Sequence, residues 1–299
     1  MCYLTGNKEE LLMRFRVLET AGREGVAVSR DGREWHALYR GEAGFPGFPD
    51  DFIAGGPTAI RTAAEAIARG ARVADIDAAH CLPPFRRAGK ILCVGLNYAA
   101  HVKESGMQTP ARPTVFARFN TGLVGHGYPL VRPTSSDQLD YESELAVIIG
   151  KHARHVAEET ALDYVAGYSI FNDGSIRDVQ LLTPQWTIGK NFDGTGGFGP
   201  DFVTADELPP GCEGLRMRGR FNGEVVQDTP LSDMIFNVRQ LVSLLSASMT
   251  LEPGDVIVTG TPSGVGLSFK PPRFLKPGDV FEIEIEKIGV LRNPVVAEA

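Results

Sequence analysis

The stretch that decides the fold is DYESELAVII at residues 140–149. Its apolar, β-branched composition is typical of a buried strand, yet Glu142 and Glu144 stand one residue apart within it. Strand side chains alternate in direction, so both carboxylates project from the same face, which continues with Ala146 and Ile148. Two like charges in an apolar setting are costly unless a positive group lies between them. A hard divalent cation is the simplest candidate, and an edge strand with both glutamates in water is the alternative.

A third carboxylate is available in the polar stretch NDGSIRDVQ at residues 172–180. Three carboxylate oxygens with added waters suit Mg²⁺, and Mn²⁺ or Ca²⁺ could replace it. Spacing alone does not choose between Asp173 and Asp178 as the third ligand. A capped turn without any metal is the alternative interpretation of this stretch.

Two further segments offer groups for acid–base and electrostatic chemistry. In NYAAHVKE at residues 97–104, His101 and Glu104 share one face of a predicted helix. The glutamate can orient the imidazole and raise its basicity, as a general base requires, although a surface pair or a metal-binding pair is also possible. Lys190 lies in the low-charge stretch GKNF at residues 189–192. It could stabilise developing negative charge, or it could be a solvated loop lysine.

Two motif-like stretches predict no function. GTGGFG at residues 194–199 matches a dinucleotide-binding pattern, but Pro200 follows at once, so no helix N-terminus is expected there for a pyrophosphate. TPSG at residues 261–264 does not fit the GxSxG pattern of a nucleophile elbow, and it predicts a tight turn after a strand.

The composition is that of an ordinary globular protein. The 299 residues are 43% hydrophobic and 22% charged, with a net charge of −7 and no long basic run, which argues against nucleic-acid or membrane-surface binding. Four scattered cysteines (Cys2, Cys81, Cys93 and Cys212) form no CxxC pair, and no signal peptide is visible. We therefore expect reduced thiols and a cytoplasmic protein.

The chain is predicted to have three parts. Residues 1–12 are expected to be a disordered extension, 13–85 a small N-terminal α/β module, and 86–299 the catalytic domain, with Pro83-Pro84 as the linker. In the larger part, helices are predicted at 158–166 and at 232–249, the second with Ser232 as its N-cap. Strands dominate without alternating regularly with helices, which predicts a mixed, mainly β architecture of the α+β class.

These motifs, in this order, resemble the fumarylacetoacetate hydrolase family. The matching pieces are VGLNY at 94–98 with His101 and Glu104, DYESELA at 140–146, Asn172 and Asp173 with Ser175, Arg177, Asp178 and Gln180, Gly189-Lys190, TGTPSGVG at 259–266 and KPGD at 276–279. The resemblance spans roughly residues 85–296. It implies a fumarylacetoacetate-hydrolase-like mixed β-sheet roll and a homodimer.

The resemblance also implies roles for individual residues. Mg²⁺ or Mn²⁺ would be held at the positions of Glu142, Glu144 and Asp173, which selects Asp173 over Asp178. His101 and Glu104 match a pair on a segment that orders when ligand binds. The substrate pocket would be lined by Lys190, Arg177 and Gln180, and Thr261 would approach the substrate carboxylate.

The expected activity is hydrolytic cleavage of a C–C bond in a 2,4-dioxo acid of the acylpyruvate or fumarylpyruvate type. His101, oriented by Glu104, would activate water, and Lys190 would stabilise the oxyanion. The alternative is a decarboxylase, isomerase or hydratase acting on a 2-oxo dicarboxylate from aromatic catabolism. A non-catalytic keto-acid binder is a third possibility. Arg118 and His126 are candidates for residues that set specificity.

Overall fold

The computed structural model describes residues 13–77 and 79–299, so the predicted extension at residues 1–12 lies outside the described residues. The strands are β1 (Arg14–Thr20), β2 (Arg23–Ser29), β3 (His36–Tyr39), β4 (Ala71–Arg72), β5 (His80–Leu82), β6 (Ile91–Gly95), β7 (Thr114–Arg118), β8 (Leu123–Val124), β9 (Leu130–Arg132), β10 (Leu139–Asp140), β11 (Ser143–Ile149), β12 (Val165–Asn172), β13 (Ser175–Ile176), β14 (Gly196–Thr204), β15 (Arg216–Phe221), β16 (Glu224–Pro230), β17 (Val256–Val258), β18 (Val280–Ile285) and β19 (Gly289–Ala297). The α-helices are α1 (Pro49–Phe52), α2 (Gly56–Ile67), α3 (Ala99–Ser105), α4 (Arg177–Gln180), α5 (Thr187–Lys190) and α6 (Val238–Ser248).

Most strands belong to one large mixed sheet. Its order is β4-β3-β2-β1-β14-β12-β11-β17-β6-β7, with β5 beside β1 and β8 beside β14. Most neighbours are antiparallel, but β17–β6 and β14–β8 are parallel pairs. A second sheet has the order β16-β15-β18-β19-β9, and β10 pairs with β13. The mixed, mainly β architecture of the α+β class is therefore confirmed.

Strand β11 lies inside the large sheet and is buried on both faces. It pairs with β12 on one side and β17 on the other. Leu145, Val147 and Ile149 belong to one hydrophobic core, whereas Ala146 and Ile148 belong to another on the opposite face. Because both faces are buried, the strand is apolar after its first two residues, Ser143 and Glu144, and Glu142 lies just before it.

The strands of the predicted N-terminal module continue the large sheet. Strand β1 pairs antiparallel with β14, with Arg14 opposite Val203 and Phe15 opposite Phe202. Arg16 and Asp201 form a buried ion pair across this junction, with Nε and Oδ1 2.6 Å apart. The division at residue 85 stays a prediction about domains, but residues on both sides of it share one sheet.

Two helix predictions are wrong in part. Helix α6 begins at Val238, and its N-cap is Asn237, not Ser232. The Asn237 side chain accepts a hydrogen bond from the Gln240 backbone amide, and the Gln240 side chain accepts one from the Asn237 backbone amide, each at 3.1 Å. The segment Glu158–Tyr164 is a 3₁₀-helix, and Val165 already belongs to β12, whose pairing with two neighbours overrides helix propensity. No helix of residues 13–77 and 79–299 is long and apolar enough to cross a membrane.

Candidate active site

Three buried carboxylates meet where β11 begins and β12 ends. In the β11–β12 register Ser143 lies opposite Asn172, so Glu142 and Asp173 are neighbours, and the Asp173 amide donates to the Glu142 carbonyl at 3.0 Å. Ligand atoms of Glu142, Glu144 and Asp173 all lie within 4.8 Å of one another. The structure thus brings together the three predicted metal ligands. Asp178 instead accepts a hydrogen bond from the Ser136 hydroxyl at 2.7 Å.

Two cations contact Glu142. Lys190 Nζ lies 2.6 Å from Glu142 Oε2 and 2.7 Å from Asp173 Oδ2, and Arg177 Nη2 lies 2.8 Å from Glu142 Oε1. Burial alone would raise the pKa of Glu142, but the positive charges of Lys190 and Arg177 outweigh it and lower the pKa from 4.5 to about 2. The Glu142 carboxylate is therefore charged at neutral pH.

Glu144 has a different environment. It accepts a hydrogen bond from the Gly260 amide at 2.5 Å, and it forms no salt bridge within the described part of the chain. Burial, together with the negative charges of Asp173 and Glu142, raises its pKa well above 4.5. The Glu144 carboxylate therefore has two acidic neighbours and, among residues 13–77 and 79–299, no cation in contact with it to offset its charge. Three convergent carboxylate oxygens are also the ligands that Mg²⁺ and Mn²⁺ prefer. The residues present therefore fit a divalent cation.

The carboxylates open into a cavity of about 220 Å³. Its polar lining consists of His101, Glu104, Ser105, Glu142, Glu144, Arg177, Gln180, Lys190, Thr261 and Ser268, and its apolar lining includes Leu96, Met107, Phe116, Leu181, Trp186, Val265 and Leu267. The catalytic and substrate-binding residues predicted from the sequence thus line one pocket. Asp173 is fully buried behind it.

Helix α3 presents the predicted acid–base pair to this pocket. His101 Nδ1 lies 2.9 Å from Glu104 Oε1, one helical turn away. The Glu104 carboxylate also accepts the Gly264 amide, at 3.0 Å to Oε2. Burial tends to raise the pKa of Glu104, but the bonds from His101 and Gly264 outweigh it and lower the pKa. Glu104 is therefore charged and joins α3 to the loop after β17.

Two residues that support the site were not assigned from the sequence. Asp140 accepts Arg177 Nε at 2.8 Å and the Gly266 amide at 2.7 Å, so it connects the guanidinium to the pocket loop. Gln227, on β16 of the second sheet, donates to Thr261 Oγ1 at 2.9 Å and accepts the Ser143 amide at 3.0 Å. Asp140 lies in the decisive stretch itself, whereas no local signal marks Gln227.

The two candidate specificity residues stand outside the pocket lining. Arg118 lies behind the carboxylates, where it contacts Asp173 at 2.7 Å. His126 accepts the Arg292 amide at 3.1 Å through Nδ1. The dinucleotide-like glycine run enters strand β14 at Gly196 and not a helix, which agrees with its dismissal.

Residues 90–296 match the family model of the fumarylacetoacetate (FAA) hydrolase C-terminal domain. The chain is 39% identical over 246 residues to the mitochondrial oxaloacetate tautomerase Fahd2a of Rattus norvegicus, covering 82% of this chain and 78% of the rat protein. It superposes on the fumarylacetoacetate hydrolase of Exiguobacterium antarcticum with a TM-score of 0.83, at 35% identity over 96% of this chain and 100% of that one. For the 5-carboxymethyl-2-hydroxymuconate delta-isomerase of Mycobacterium smegmatis the TM-score is 0.74, at 32% identity over 96% of this chain and 100% of that one.

The predicted resemblance is therefore confirmed, and this chain belongs to the fumarylacetoacetate hydrolase family of enzymes.

Proposed function

We propose that this chain catalyses the keto–enol tautomerisation of a 2-oxo dicarboxylate such as oxaloacetate, with a divalent metal at Glu142, Glu144 and Asp173. The observation that carries the proposal is the placement of Glu142, Glu144, Lys190 and the Glu104-oriented His101 around one pocket, with Asp173 directly behind the two glutamates. The rat and Mycobacterium smegmatis relatives are named as a tautomerase and an isomerase, which supports the same class of reaction.

Substrate binding follows from the charges of the pocket. A cation held by the triad would supply Lewis-acid stabilisation of negative charge on the oxygens of a bound 2-oxo acid. Arg177 Nη1 donates to Gln180 Oε1 at 2.8 Å, which leaves the Gln180 amide NH₂ to donate to a substrate carboxylate. The Thr261 hydroxyl, held by Gln227, offers a second polar contact.

The proton transfer is assigned to His101. Because Glu104 accepts the Nδ1 proton, Nε2 is the nitrogen that can take a proton from substrate C3. As the C3–H bond breaks, the C2–C3 double bond forms and the carbonyl electron pair moves to the C2 oxygen. Lys190 stabilises the charge that develops there, and the enol is completed when the proton held by His101 passes to that oxygen, directly or through one water molecule. The reverse sequence returns the keto form.

A direct test follows the ultraviolet absorbance of enol-oxaloacetate with purified protein and Mg²⁺. We expect decay to the keto form faster than the spontaneous rate, abolished by EDTA and by Glu142→Ala. His101→Gln should lose about 100-fold or more in rate, whereas the exposed His152→Gln control should match the parent. A parent protein that leaves the spontaneous rate unchanged would reject the proposal.

Hydrolysis of a 2,4-dioxo acid is the second candidate, and the His101–Glu104 pair favours it. The same imidazole could deprotonate a water molecule for attack on the distal carbonyl. Incubation with acylpyruvates separates the reactions, because release of pyruvate with a free acid supports hydrolysis. Release of CO₂ from oxaloacetate above the spontaneous rate would instead support a decarboxylase.

Assembly and location are further proposals. The family resemblance supports a homodimer, which light scattering on the purified protein would test. The cytoplasmic location also stays a prediction, to be tested by cell fractionation.

A further inference from the structure

Arg118 is a fully buried arginine at the end of β7, directly behind the carboxylate triad. Its Nη1 donates to Asp173 Oδ1 at 2.7 Å and to the Gly174 carbonyl at 2.8 Å, and its Nη2 donates to Thr195 Oγ1 at 3.1 Å. The side chains of Arg118 and Asp173 both have an exposed fraction of 0%. Burying an arginine is costly, so this arrangement must be compensated by specific geometry.

The surrounding backbone is shaped to hold the guanidinium group. A Cβ atom at Gly196 would lie 2.7 Å from Arg118 Nη2 and 2.9 Å from Cζ, so a side chain there would displace the group. On another side, Arg118 Cζ lies 5.9 Å from the centre of the Phe171 ring. Packing and three hydrogen-bond acceptors thus fix the plane of the Arg118 guanidinium group. A lysine ammonium group is not planar and would not reproduce this arrangement.

Both carboxylate oxygens of Asp173 form ion pairs. Arg118 contacts Oδ1 and Lys190 contacts Oδ2, each at 2.7 Å. A carboxylate oxygen has two lone pairs, so each retains capacity for a metal ion while its direction is set by the bond already made. We infer that Arg118 is a positioning residue that orients Asp173 as a metal ligand. The inference rests on the metal site of the proposed function.

The direction in which metal affinity changes in Arg118 variants distinguishes a positioning role from a purely electrostatic one. If Arg118 acted only as a positive charge, it would repel a divalent cation, and Arg118→Met would tighten metal binding while Arg118→Lys left it unchanged. If Arg118 positions Asp173, both substitutions misplace the ligand and weaken binding. Loss of a residue that orients a metal ligand typically lowers metal affinity by about 10- to 100-fold.

The experiment is calorimetric titration of the EDTA-stripped, dialysed protein with Mn²⁺ and with Mg²⁺. We expect both Arg118 variants to bind at least about 10-fold more weakly than the parent. The matched control is Arg16→Lys, because Arg16 is also buried and ion-paired, to Asp201 at 2.6 Å, but lies at the junction with β1. It should keep the parent's metal affinity. Unchanged or tighter binding by the Arg118 variants would overturn the inference.

A milder variant keeps the inference testable if the Arg118 variants do not fold. Thr195→Val removes the acceptor of Arg118 Nη2 but leaves the ion pair to Asp173 in place. It should fold, as judged by circular dichroism, and bind metal several-fold more weakly. If the Arg118 variants do not fold, parent-like affinity in Thr195→Val rejects the inference. If the parent protein binds no divalent metal, the proposed metal site itself is rejected. If the parent and the Arg118 variants bind metal with the same affinity, only the role of Arg118 is rejected.

Discussion

Lys190 donates a hydrogen bond to Glu142 across 2.6 Å in the buried site, although 48 positions separate the two residues in the chain. The lysine is only 1% exposed, so it belongs to the carboxylate cluster as well as to the pocket wall. Its ammonium group therefore offsets negative charge before substrate binds, and in the proposed reaction it would also stabilise charge that forms on a substrate oxygen.

Replacing Lys190 separates these two effects. In Lys190→Met we expect turnover to fall by about 100- to 1,000-fold, because a donor to the developing charge is lost. Metal affinity should also fall, by about 10-fold, because Lys190 contacts Glu142 and Asp173, but it should fall less than turnover because all three carboxylates remain. Steady-state kinetics and calorimetric metal titration measure the two quantities, with the exposed Lys151→Met as control. Equal losses in both would make Lys190 a structural residue.

Glu144→Gln tests the excess of negative charge. Without metal, removing one of three adjacent buried carboxylates should stabilise the fold, raising Tm by about 2 °C for each kcal/mol of repulsion relieved. With Mg²⁺ the parent should gain about 2.7 kcal/mol at 100 times Kd, and the variant should lose most of that gain. Thermal melts in EDTA and in Mg²⁺ measure both effects. Exposed Glu158→Gln is the control, and a variant less stable than the parent in EDTA would contradict the argument.

Glu207 predicts a pH dependence of stability away from the active site. Its side chain is 2% exposed, and burial raises its pKa from 4.5 to about 8, although Arg14 lies 3.8 Å away. The folded state therefore binds more protons than the unfolded state between these two pH values. This contribution to stability is fully present below pH 4.5 and is lost as the pH rises towards about 8.

Glu207→Gln should remove that loss. Urea unfolding at pH 5 and pH 8 measures the free energy of unfolding of both proteins. Relative to the parent, the variant should be more stable at pH 8 than at pH 5 by about 1–2 kcal/mol, after allowance for solvent screening. Exposed Glu213→Gln is the matched control and should show no such trend. A stability difference independent of pH would refute the role assigned to Glu207.

Gln227→Glu tests the support of Thr261 by the second sheet. The variant keeps an acceptor for the Ser143 amide but loses the donor to Thr261 Oγ1 and to the Pro262 carbonyl. The unpaired groups should cost about 1–3 kcal/mol of unfolding free energy, and a displaced Thr261 should raise KM. Thr261→Val should raise KM without the same loss of stability. Parent-like KM in both variants would exclude Thr261 from substrate binding.

Asn237→Ala tests the start of helix α6. Losing the capping box should lower the unfolding free energy by about 1 kcal/mol without changing metal affinity. Ser232→Ala should have little effect, since Ser232 is exposed and lies before the helix. Denaturant unfolding of both variants measures the contrast, and the reverse order would favour the N-cap predicted from the sequence.

The features that could be predicted from the sequence depend on short-range geometry. The alternation of a strand placed Glu142 and Glu144 together, and the repeat of a helix placed His101 beside Glu104. Helix boundaries were less reliable, as Ser232 and Val165 show, because capping geometry and strand pairing compete with apolar spacing. The family resemblance, not spacing, selected Asp173 over Asp178.

By itself, the sequence determined the mainly β class, the acidic pair at the head of β11 and the family. Only the tertiary structure decided that Lys190 pairs with Glu142, that Gln227 supports Thr261, and that Arg118 faces Asp173 and not the pocket. These contacts join segments distant in the chain, and they exist only when strand register brings Ser143 opposite Asn172. Local backbone preferences carry no information about that register, because it results from packing both faces of β11 at once.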